Sequence, residues 1–196
     1  MIIDHVFSAY GNFPVTLNVK DDRQGVNLSQ VALDYKCTSP AVMISQTAGT
    51  VANTSLSGSK TNGQGFIADS NFYMTSISVE FKDAASTAGK ATLRFGTTKD
   101  LSRSFDAEVT IPVIPNSWGD FIFPNVVKLI AGTQYYWEVV STDGSYANRF
   151  QLAYVARDVY LSGNREAAFF TGANPPFTLD TGDLTRDFNF KISGCR

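Results

Sequence analysis

The sequence predicts an all-β protein built as a sandwich of two antiparallel sheets, and three observations support this prediction. Polar and apolar residues alternate in many short segments, which is typical of strands with one buried and one wetter face. Turn-forming dipeptides such as Pro115-Asn116 and Ala131-Gly132 separate these segments. Helix formers are scarce, since only four glutamates accompany fourteen aspartates and no amphipathic helical stretch of useful length occurs.

The strand prediction rests on alternation within defined segments. In residues 104–111, Phe105, Ala107 and Val109 alternate with acidic or hydroxyl side chains, so these apolar residues are expected to face the core. The six segments are residues 74–82, 90–95, 104–111, 134–142, 149–155 and 187–193. Residues 45–65, in contrast, are rich in Ser, Thr, Gly and Asn and are expected to form a long surface loop.

The N-terminal part of the chain differs from the rest. Residues 13–19 and 26–35 are predicted as two strands, joined by a polar turn at residues 21–25. A two-stranded ribbon cannot bury itself alone, so this N-terminal β-ribbon or arm must pack on the main domain, on a copy of the chain or on another protein. We predict an attachment and assembly segment at residues 1–36 and a sandwich domain at residues 37–196. The alternative is an extra hairpin on the same sandwich.

Charge and hydropathy exclude several partners. The chain has 16 Lys and Arg against 18 Asp and Glu, which argues against nucleic-acid binding because phosphate contacts need a basic patch. No apolar run approaches the roughly 20 residues that span a bilayer, so no membrane partner is expected. The N-terminus lacks a basic region followed by an apolar stretch, so no signal peptide is predicted. We expect synthesis in the cytoplasm, with release inside a virus particle as one route to the outside.

Most catalytic and metal-binding residue sets are missing from the sequence. The single histidine is His5, and the only cysteines are Cys37 and Cys195. His-based triads, His-rich metal sites and Cys-rich zinc sites therefore lack their parts. The loop aspartates show no EF-hand spacing, so no cofactor is expected and we favour the interpretation that they form turns. The alternative is a structural calcium ion bridging loop oxygens, which the spacing does not support.

Paired carboxylates are the catalytic groups that remain. Glu80, Glu108 and Glu138 lie at polar positions of three predicted strands, and they would line one surface if those strands shared a sheet. We favour the interpretation that they belong to solvated sheet faces, because nothing in the sequence indicates the burial that would raise the pKa of one carboxyl group. The protein is therefore expected not to be an enzyme.

The two cysteines flank the predicted sandwich domain. Cys37 and Cys195 would meet if the first and last strands of the sandwich were neighbours, and a disulfide closing so long a loop would stabilise by a few kcal/mol. The alternative is two buried thiols. We favour the thiols, because disulfides are rare in proteins made in the cytosol.

Loop residues at one end of the sandwich form the candidate ligand site. They combine aromatic plates with side chains that hydrogen-bond hydroxyl groups, the mixture that sugar binding requires. The six residues are Tyr146, Asn148, Arg149, Tyr160, Asn164 and Arg165. The alternatives for these residues are ordinary surface and protein contacts in a homo-oligomer.

One stretch carries a more specific motif. Its residues are Trp118, Phe121, Phe123, Leu129, Ala131, Gly132, Thr133, Tyr135 and Trp137. They match the pattern W-x-x-F-x-F followed by L-x-A-G-T-x-Y-x-W, and the chain from Gln64 onward resembles a jelly-roll, carbohydrate-binding-like module of phage structural and bacterial surface proteins. The resemblance covers about two thirds of the chain and leaves residues 1–63 without a counterpart. It implies core or rim positions for Trp118, Phe121 and Tyr135, which specify a fold and not a substrate.

The resemblance and the missing catalytic residues together predict a non-enzymatic structural protein of a bacteriophage virion, such as a capsid decoration, head fibre or tail component. It would attach to other virion proteins through residues 1–36 and form a homo-oligomer, with a trimer favoured. Host cell-surface glycans would be its outward contact. The alternative is an extracellular carbohydrate-binding module, for which residues 1–36 would be dispensable.

Overall fold

The computed structural model describes residues 11–20, 26–35, 37–49, 51–52, 61–84, 89–98, 101, 104–141, 150–155, 168–171, 178–179 and 187–196, and every regular element in these ranges is a β-strand. The strands are β1 (Gly11–Lys20), β2 (Val26–Tyr35), β3 (Ala41–Gln46), β4 (Val51–Ala52), β5 (Thr61–Ile67), β6 (Phe72–Ala84), β7 (Lys90–Gly96), β8 (Ala107–Pro112), β9 (Ser117–Leu129), β10 (Gln134–Ser141), β11 (Phe150–Val155), β12 (Ala168–Thr171), β13 (Thr178–Leu179), β14 (Asp187–Phe188) and β15 (Phe190–Cys195).

Two antiparallel sheets form the body of the protein. The six-stranded sheet has the order β13-β12-β5-β10-β7-β8. The seven-stranded sheet has the order β14-β11-β6-β15-β3, with β9 paired to β6 and β4 paired to β11. Turns at Asn116 and Gly132 both place a residue at positive φ, 54° and 78°, which asparagine and glycine tolerate better than other residues.

Aromatic side chains fill the space between the two sheets. Phe66 and Trp137 on the six-stranded sheet lie with ring centroids 6.2 and 5.8 Å from that of Phe190 on the seven-stranded sheet. Phe95 and Phe123 meet across the same interface at 6.2 Å. Each fully buried phenylalanine contributes roughly 1.5–3 kcal/mol relative to an exposed one, so this layer of rings is the main source of the sandwich's stability.

Where the alternating segments lie in described residues they are confirmed as strands, except at residues 104–106 and at Asn189. In β10, Tyr135, Trp137 and Val139 are buried in the core, as the period of two predicts. The all-β, two-sheet prediction is therefore correct. Phe105 is an exception: it was expected to face the core but is 44% exposed. The reason is that β8 begins only at Ala107, so Phe105 lies outside the ladder and instead has the guanidinium of Arg94 5.6 Å from its ring centroid.

The surface loop expected at residues 45–65 is wrong for residues 45–46, 51–52 and 61–65, which lie in β3, β4 and β5, while residues 50 and 53–60 lie outside the described residues. Strand β5 lies between β10 and β12 inside the six-stranded sheet, and its polar residues Asn62 and Gln64 are each 1% exposed. Gln64 is satisfied by partners that lie far away in sequence: its Nε2 donates to Asp187 Oδ1 at 3.0 Å, and its Oε1 accepts from the backbone N–H of Phe188 at 2.7 Å. A polar side chain with such partners can occupy the core at little cost.

A second buried amide holds the segment that follows β3. Asn189, between β14 and β15, accepts a hydrogen bond on Oδ1 from the N–H of Gly49 at 2.7 Å and donates from Nδ2 to the carbonyl of Gly49 at 2.8 Å. The same Nδ2 also donates to Glu80 Oε2 at 2.6 Å. The side chain thus pairs with Gly49 as a peptide group of a neighbouring strand would. This pairing orders residues whose composition had suggested a loop.

Candidate functional site

The first candidate surface is a separate β-ribbon made by β1 and β2. These strands pair antiparallel over ten residue positions, from Gly11 opposite Tyr35 to Lys20 opposite Val26. Among the described strands, neither β1 nor β2 pairs with any strand of the two larger sheets. The predicted strands at residues 13–19 and 26–35 are therefore confirmed, as is their pairing with each other.

The register gives the ribbon two different faces. Residues that pair directly lie on the same face, and alternate pairs lie on opposite faces. On one face, seven of the ten positions carry apolar residues: Phe13, Val15, Leu17, Val19, Val31, Leu33 and Tyr35. On the other face, six of the ten are polar or charged: Asn12, Thr16, Asn18, Lys20, Gln30 and Asp34. The ribbon is amphipathic, although it contains only two strands.

The apolar face of the ribbon is open to solvent at Val15. Val15 is 40% exposed, and Pro14, Thr16 and Gln30 are exposed as well. On the polar face, Gln30 Nε2 donates to Thr16 Oγ1 across the ladder at 3.5 Å. A two-stranded ribbon is marginal in water without a hydrophobic neighbour, so a partner that covered the apolar face would stabilise it.

A disulfide ties the root of the ribbon to the sandwich. Cys37, two residues after the end of β2, is bonded to Cys195, the last residue of β15, with the Cα atoms 5.8 Å apart. The favoured interpretation of two buried thiols is therefore wrong. The cysteines meet because β15 pairs with β3, the first sandwich strand after Cys37. The separation of the two cysteines along the chain did not predict this strand pairing.

A cavity of about 530 Å³ lies beside this disulfide. It is lined by residues 38–39 and 41–43 and by the C-terminal residues 194–196. Val42, on its rim, is 54% exposed. The root of the ribbon, the cavity and the chain's last described residues therefore lie at one corner of the sandwich.

The three glutamates singled out in the sequence do not share one surface. Glu80 lies on β6 of the seven-stranded sheet, whereas Glu108 and Glu138 lie on the six-stranded sheet. Arg94 joins the latter two: its Nε is 2.7 Å from Glu108 Oε2 and its Nη1 is 3.2 Å from Glu138 Oε1. Burial works against the charge of Arg94, but the hydrogen bonds and charges of the two carboxylates outweigh it and raise the pKa of Arg94.

The expectation of solvated glutamates is wrong for Glu138, which is 1% exposed. The residue lies on the outer face of its strand, where alternation alone predicts contact with water. Its ion pair with Arg94 explains why it is tolerated there, because a buried charge requires a charged or hydrogen-bonding partner.

The outer face of the seven-stranded sheet carries the second candidate surface, which we call the Trp118 face: Trp118, Glu80, Lys82 and Lys191. Trp118 is half-buried and is paired in register with Glu80, and the Nζ of Lys191 lies 3.9 Å from its ring centroid. Lys82 Nζ is 2.6 Å from Glu80 Oε1. Lys191 lies over the ring, so a polar ligand that stacks on Trp118 must displace this ammonium group, and the charged groups beside the ring could then hydrogen-bond the ligand. Only the strand register brings these residues together.

Glu80 is held ionised by its neighbours. Burial opposes the charge of this carboxylate, but hydrogen bonds from Lys82 and Asn189 together with the charges of Lys82 and Lys191 outweigh that effect and lower the pKa of Glu80. A carboxyl group with a lowered pKa is a poor general acid near neutral pH. Glu80 is better suited to accepting hydrogen bonds than to donating a proton.

The six loop residues of the sequence-based ligand site, Tyr146, Asn148, Arg149, Tyr160, Asn164 and Arg165, lie outside the described residues. Within the described ranges, no three His, Cys, Asp or Glu side chains are grouped so that they could hold a metal ion. The same ranges contain no helix with the length and apolarity needed to cross a bilayer.

Comparisons with known proteins do not assign the chain to a family. No protein-family model matches the sequence, and no curated protein matches it. The fold and the two surfaces define it as an all-β sandwich protein with a separate, amphipathic N-terminal ribbon.

Proposed function

We propose that this protein is a non-enzymatic structural protein that attaches to its partners through the ribbon. The observation that carries the proposal is the amphipathic ladder of β1 and β2, which has seven apolar positions on one face and no pairing to the described sandwich strands. Covering Val15 alone would contribute on the order of 1 kcal/mol, and six further apolar positions share its face. Partner binding would supply the burial that the ribbon lacks.

The partners we propose are other virion proteins and further copies of the same chain, with a trimer favoured. The setting, a bacteriophage particle in which the protein is a capsid decoration, head fibre or tail component, is suggested by the resemblance of residues 64–196 to jelly-roll modules of phage structural proteins. The Cys37–Cys195 disulfide fits a protein that works outside the reducing cytoplasm. The jelly-roll order of the strands is part of the same proposal.

A non-enzymatic role is supported by the state of the three glutamates. Glu108 and Glu138 share Arg94, and Glu80 accepts hydrogen bonds from Lys82 and Asn189. Paired catalytic carboxylates need one group with a raised pKa that can donate a proton. The pKa of Glu80 is shifted in the opposite direction.

Substitutions on the two faces of the ribbon test the proposal. Val15→Lys places a charge on the apolar face and is expected to weaken self-association or particle binding at least about tenfold, because one desolvated charge costs more than roughly 1.4 kcal/mol. Thr16→Lys adds the same charge one residue along, on the polar face, and is expected to change association less than about twofold. Light scattering coupled to size-exclusion chromatography measures self-association, and co-sedimentation measures particle binding.

Deletion of residues 1–36 provides a second test. The truncated chain keeps Cys37 and both sheets, and it is expected to retain a β-rich circular dichroism spectrum while losing assembly. If it still formed the full-length oligomer or joined particles normally, the attachment role would be rejected. Equal association of the Val15→Lys and Thr16→Lys proteins would also reject it.

The second candidate function is carbohydrate binding, in line with glycan contact by the virion protein or with an extracellular carbohydrate-binding module. The Trp118 face favours it, because a half-buried tryptophan stands beside charged groups that can hydrogen-bond hydroxyls.

A glycan array tests the carbohydrate proposal with three variants. Trp118→Ala is expected to lose binding at least about tenfold if the Trp118 face holds the sugar, because an aromatic contact is worth roughly 1–3 kcal/mol. Ile122→Ala, on the same strand and 67% exposed, is the matched control and is expected to bind as the wild type does. Loss in Tyr146→Ala alone would place the site on the loops, and undiminished binding by both aromatic variants would reject both sites.

A further inference from the structure

The root of the ribbon is joined to the sandwich by two covalent routes. One is the main chain, which runs from Cys37 through residues 38–40 into β3. The other is the disulfide, which leads directly to the end of β15. Strands β3 and β15 are held in the sheet by different contacts. Force on the ribbon must therefore break different contacts when it reaches β3 than when it reaches β15.

Strand β3 is an outer strand of its sheet. In the described part of the chain it pairs with β15 alone, and a register shift interrupts that ladder between Ile192 and Ser193. Ile44 and Gln46 are its buried side chains, at 7% and 6% exposure. An edge strand with one ladder and two buried side chains is more easily withdrawn than a strand inside the sheet.

Strand β15 is held on both sides and from within. It pairs with β6 along one edge and with β3 along the other. Its residues Phe190 and Ile192 are completely buried, and Phe190 contacts rings of the opposite sheet. Removing this strand would expose core side chains as well as break two ladders.

We propose that the Cys37–Cys195 disulfide is a mechanical lock, which passes load from the ribbon to β15 in the interior of the sheet and so prevents the edge strand β3 from being pulled away. This inference rests on the proposed attachment through the ribbon. A protein that is attached to a particle through a two-stranded arm needs the root of that arm to resist force, and the bond lies two residues after the arm ends.

Single-molecule force spectroscopy on the full chain tests the lock. One handle is fixed to the N-terminus, and the other to an azide-bearing residue introduced in place of Ile114, which is 63% exposed in the turn before β9. This turn lies at the far end of the sandwich, because Ser117 pairs with Phe81 at one end of β6 while Cys195 pairs with Tyr73 at the other. The same residues, 37–114, extend in the bonded and unbonded forms, so the released length is the same and only the force differs.

The Cys37→Ala/Cys195→Ala protein is expected to unfold at least about tenfold faster than the wild type at the same load, a difference of roughly 1.4 kcal/mol in barrier height. Wild-type protein reduced on the surface with a phosphine should behave like the variant, which provides the measurement even if the variant does not fold. If the protein had the same lifetime under load with and without the disulfide, the proposed lock would be rejected.

Self-association at zero force separates this inference from the proposed function. The double alanine protein is expected to form the same oligomer as the wild type, since the ribbon's apolar face is unchanged. If the disulfide prolonged the lifetime under load but association did not depend on the ribbon, only the attachment role would be rejected. Ribbon-dependent association with equal lifetimes under load would reject the lock alone.

Discussion

The Cys37→Ala/Cys195→Ala protein is expected to be less stable than the wild type by about 5 kcal/mol in free energy of unfolding. The disulfide joins residues 158 positions apart, so it closes nearly the whole sandwich into one loop. In the chain-entropy description, such a crosslink removes conformations mainly from the unfolded chain, and the effect increases with the logarithm of loop length. A loss of this size is a large share of the 5–15 kcal/mol that typically separates folded from unfolded domains.

Urea unfolding followed by tryptophan fluorescence measures this loss. Wild-type protein unfolded in the presence of a reductant should reproduce the stability of the variant, because both lack the bond and differ only in two small side chains. The slope of the unfolding curve should be steeper without the bond, since the unfolded chain becomes more open. A loss below roughly 1 kcal/mol would mean that the bond does not restrict the unfolded chain as the long loop requires.

Gly63→Ala is expected to destabilise the protein by roughly 3–5 kcal/mol or to prevent folding, because strand β5 would lose its fit against β10. A Cβ atom at this position would overlap the backbone carbonyl oxygen of Trp137 and lie 2.9 Å from the Cα of Glu138. Backbone atoms of a central strand cannot move aside without breaking the ladder on both sides. Gly63 pairs with Glu138 on one side and with Ala168 on the other, so two ladders are affected.

Gly132→Ala is the matched control for this prediction. Gly132 has a φ of 78° and no atom within 4 Å of an added Cβ, so its substitution introduces only backbone strain. That strain is expected to cost about 1–2 kcal/mol. Thermal unfolding of both variants separates the two effects, and a Gly63→Ala protein as stable as Gly132→Ala would show that β5 can move away from β10.

The regular strands were predictable because one physical rule governs them. A strand with one face on the core and one in water must alternate, and β8 follows that rule residue by residue, whereas β7 and β10 depart from it at the buried polar residues Thr92 and Glu138. The ribbon was predictable for a related reason, since two β-prone segments joined by a short polar turn are a hairpin signal. Its amphipathic character, however, depends on the register, which pairs Phe13 with Leu33 and Val15 with Val31.

The first part of strand β5 was missed because two of its inward-facing residues, Asn62 and Gln64, are polar. Asn62 and Gln64 look like loop residues by composition, and Gln64 is tolerated in the core only because Asp187 and Phe188 supply hydrogen-bond partners from the other end of the chain. The candidate surfaces depend on long-range contacts in the same way. Trp118 and Lys191 are far apart in sequence, and no local pattern indicates that a cation will lie above that ring.

Composition and alternation thus established the alternating strands, the two-sheet class and the N-terminal hairpin, because these follow from local periodicity and from the need to bury apolar side chains. Long-range contacts established the remainder: the Cys37–Cys195 bond, the buried amides of Gln64 and Asn189, the ion pairs of Arg94 and the Trp118 face. Each of these contacts joins residues that are far apart in the sequence, and no local pattern predicts the contact. A side chain's own chemistry shows which partners it can accept, and only the packing of distant strands supplies them.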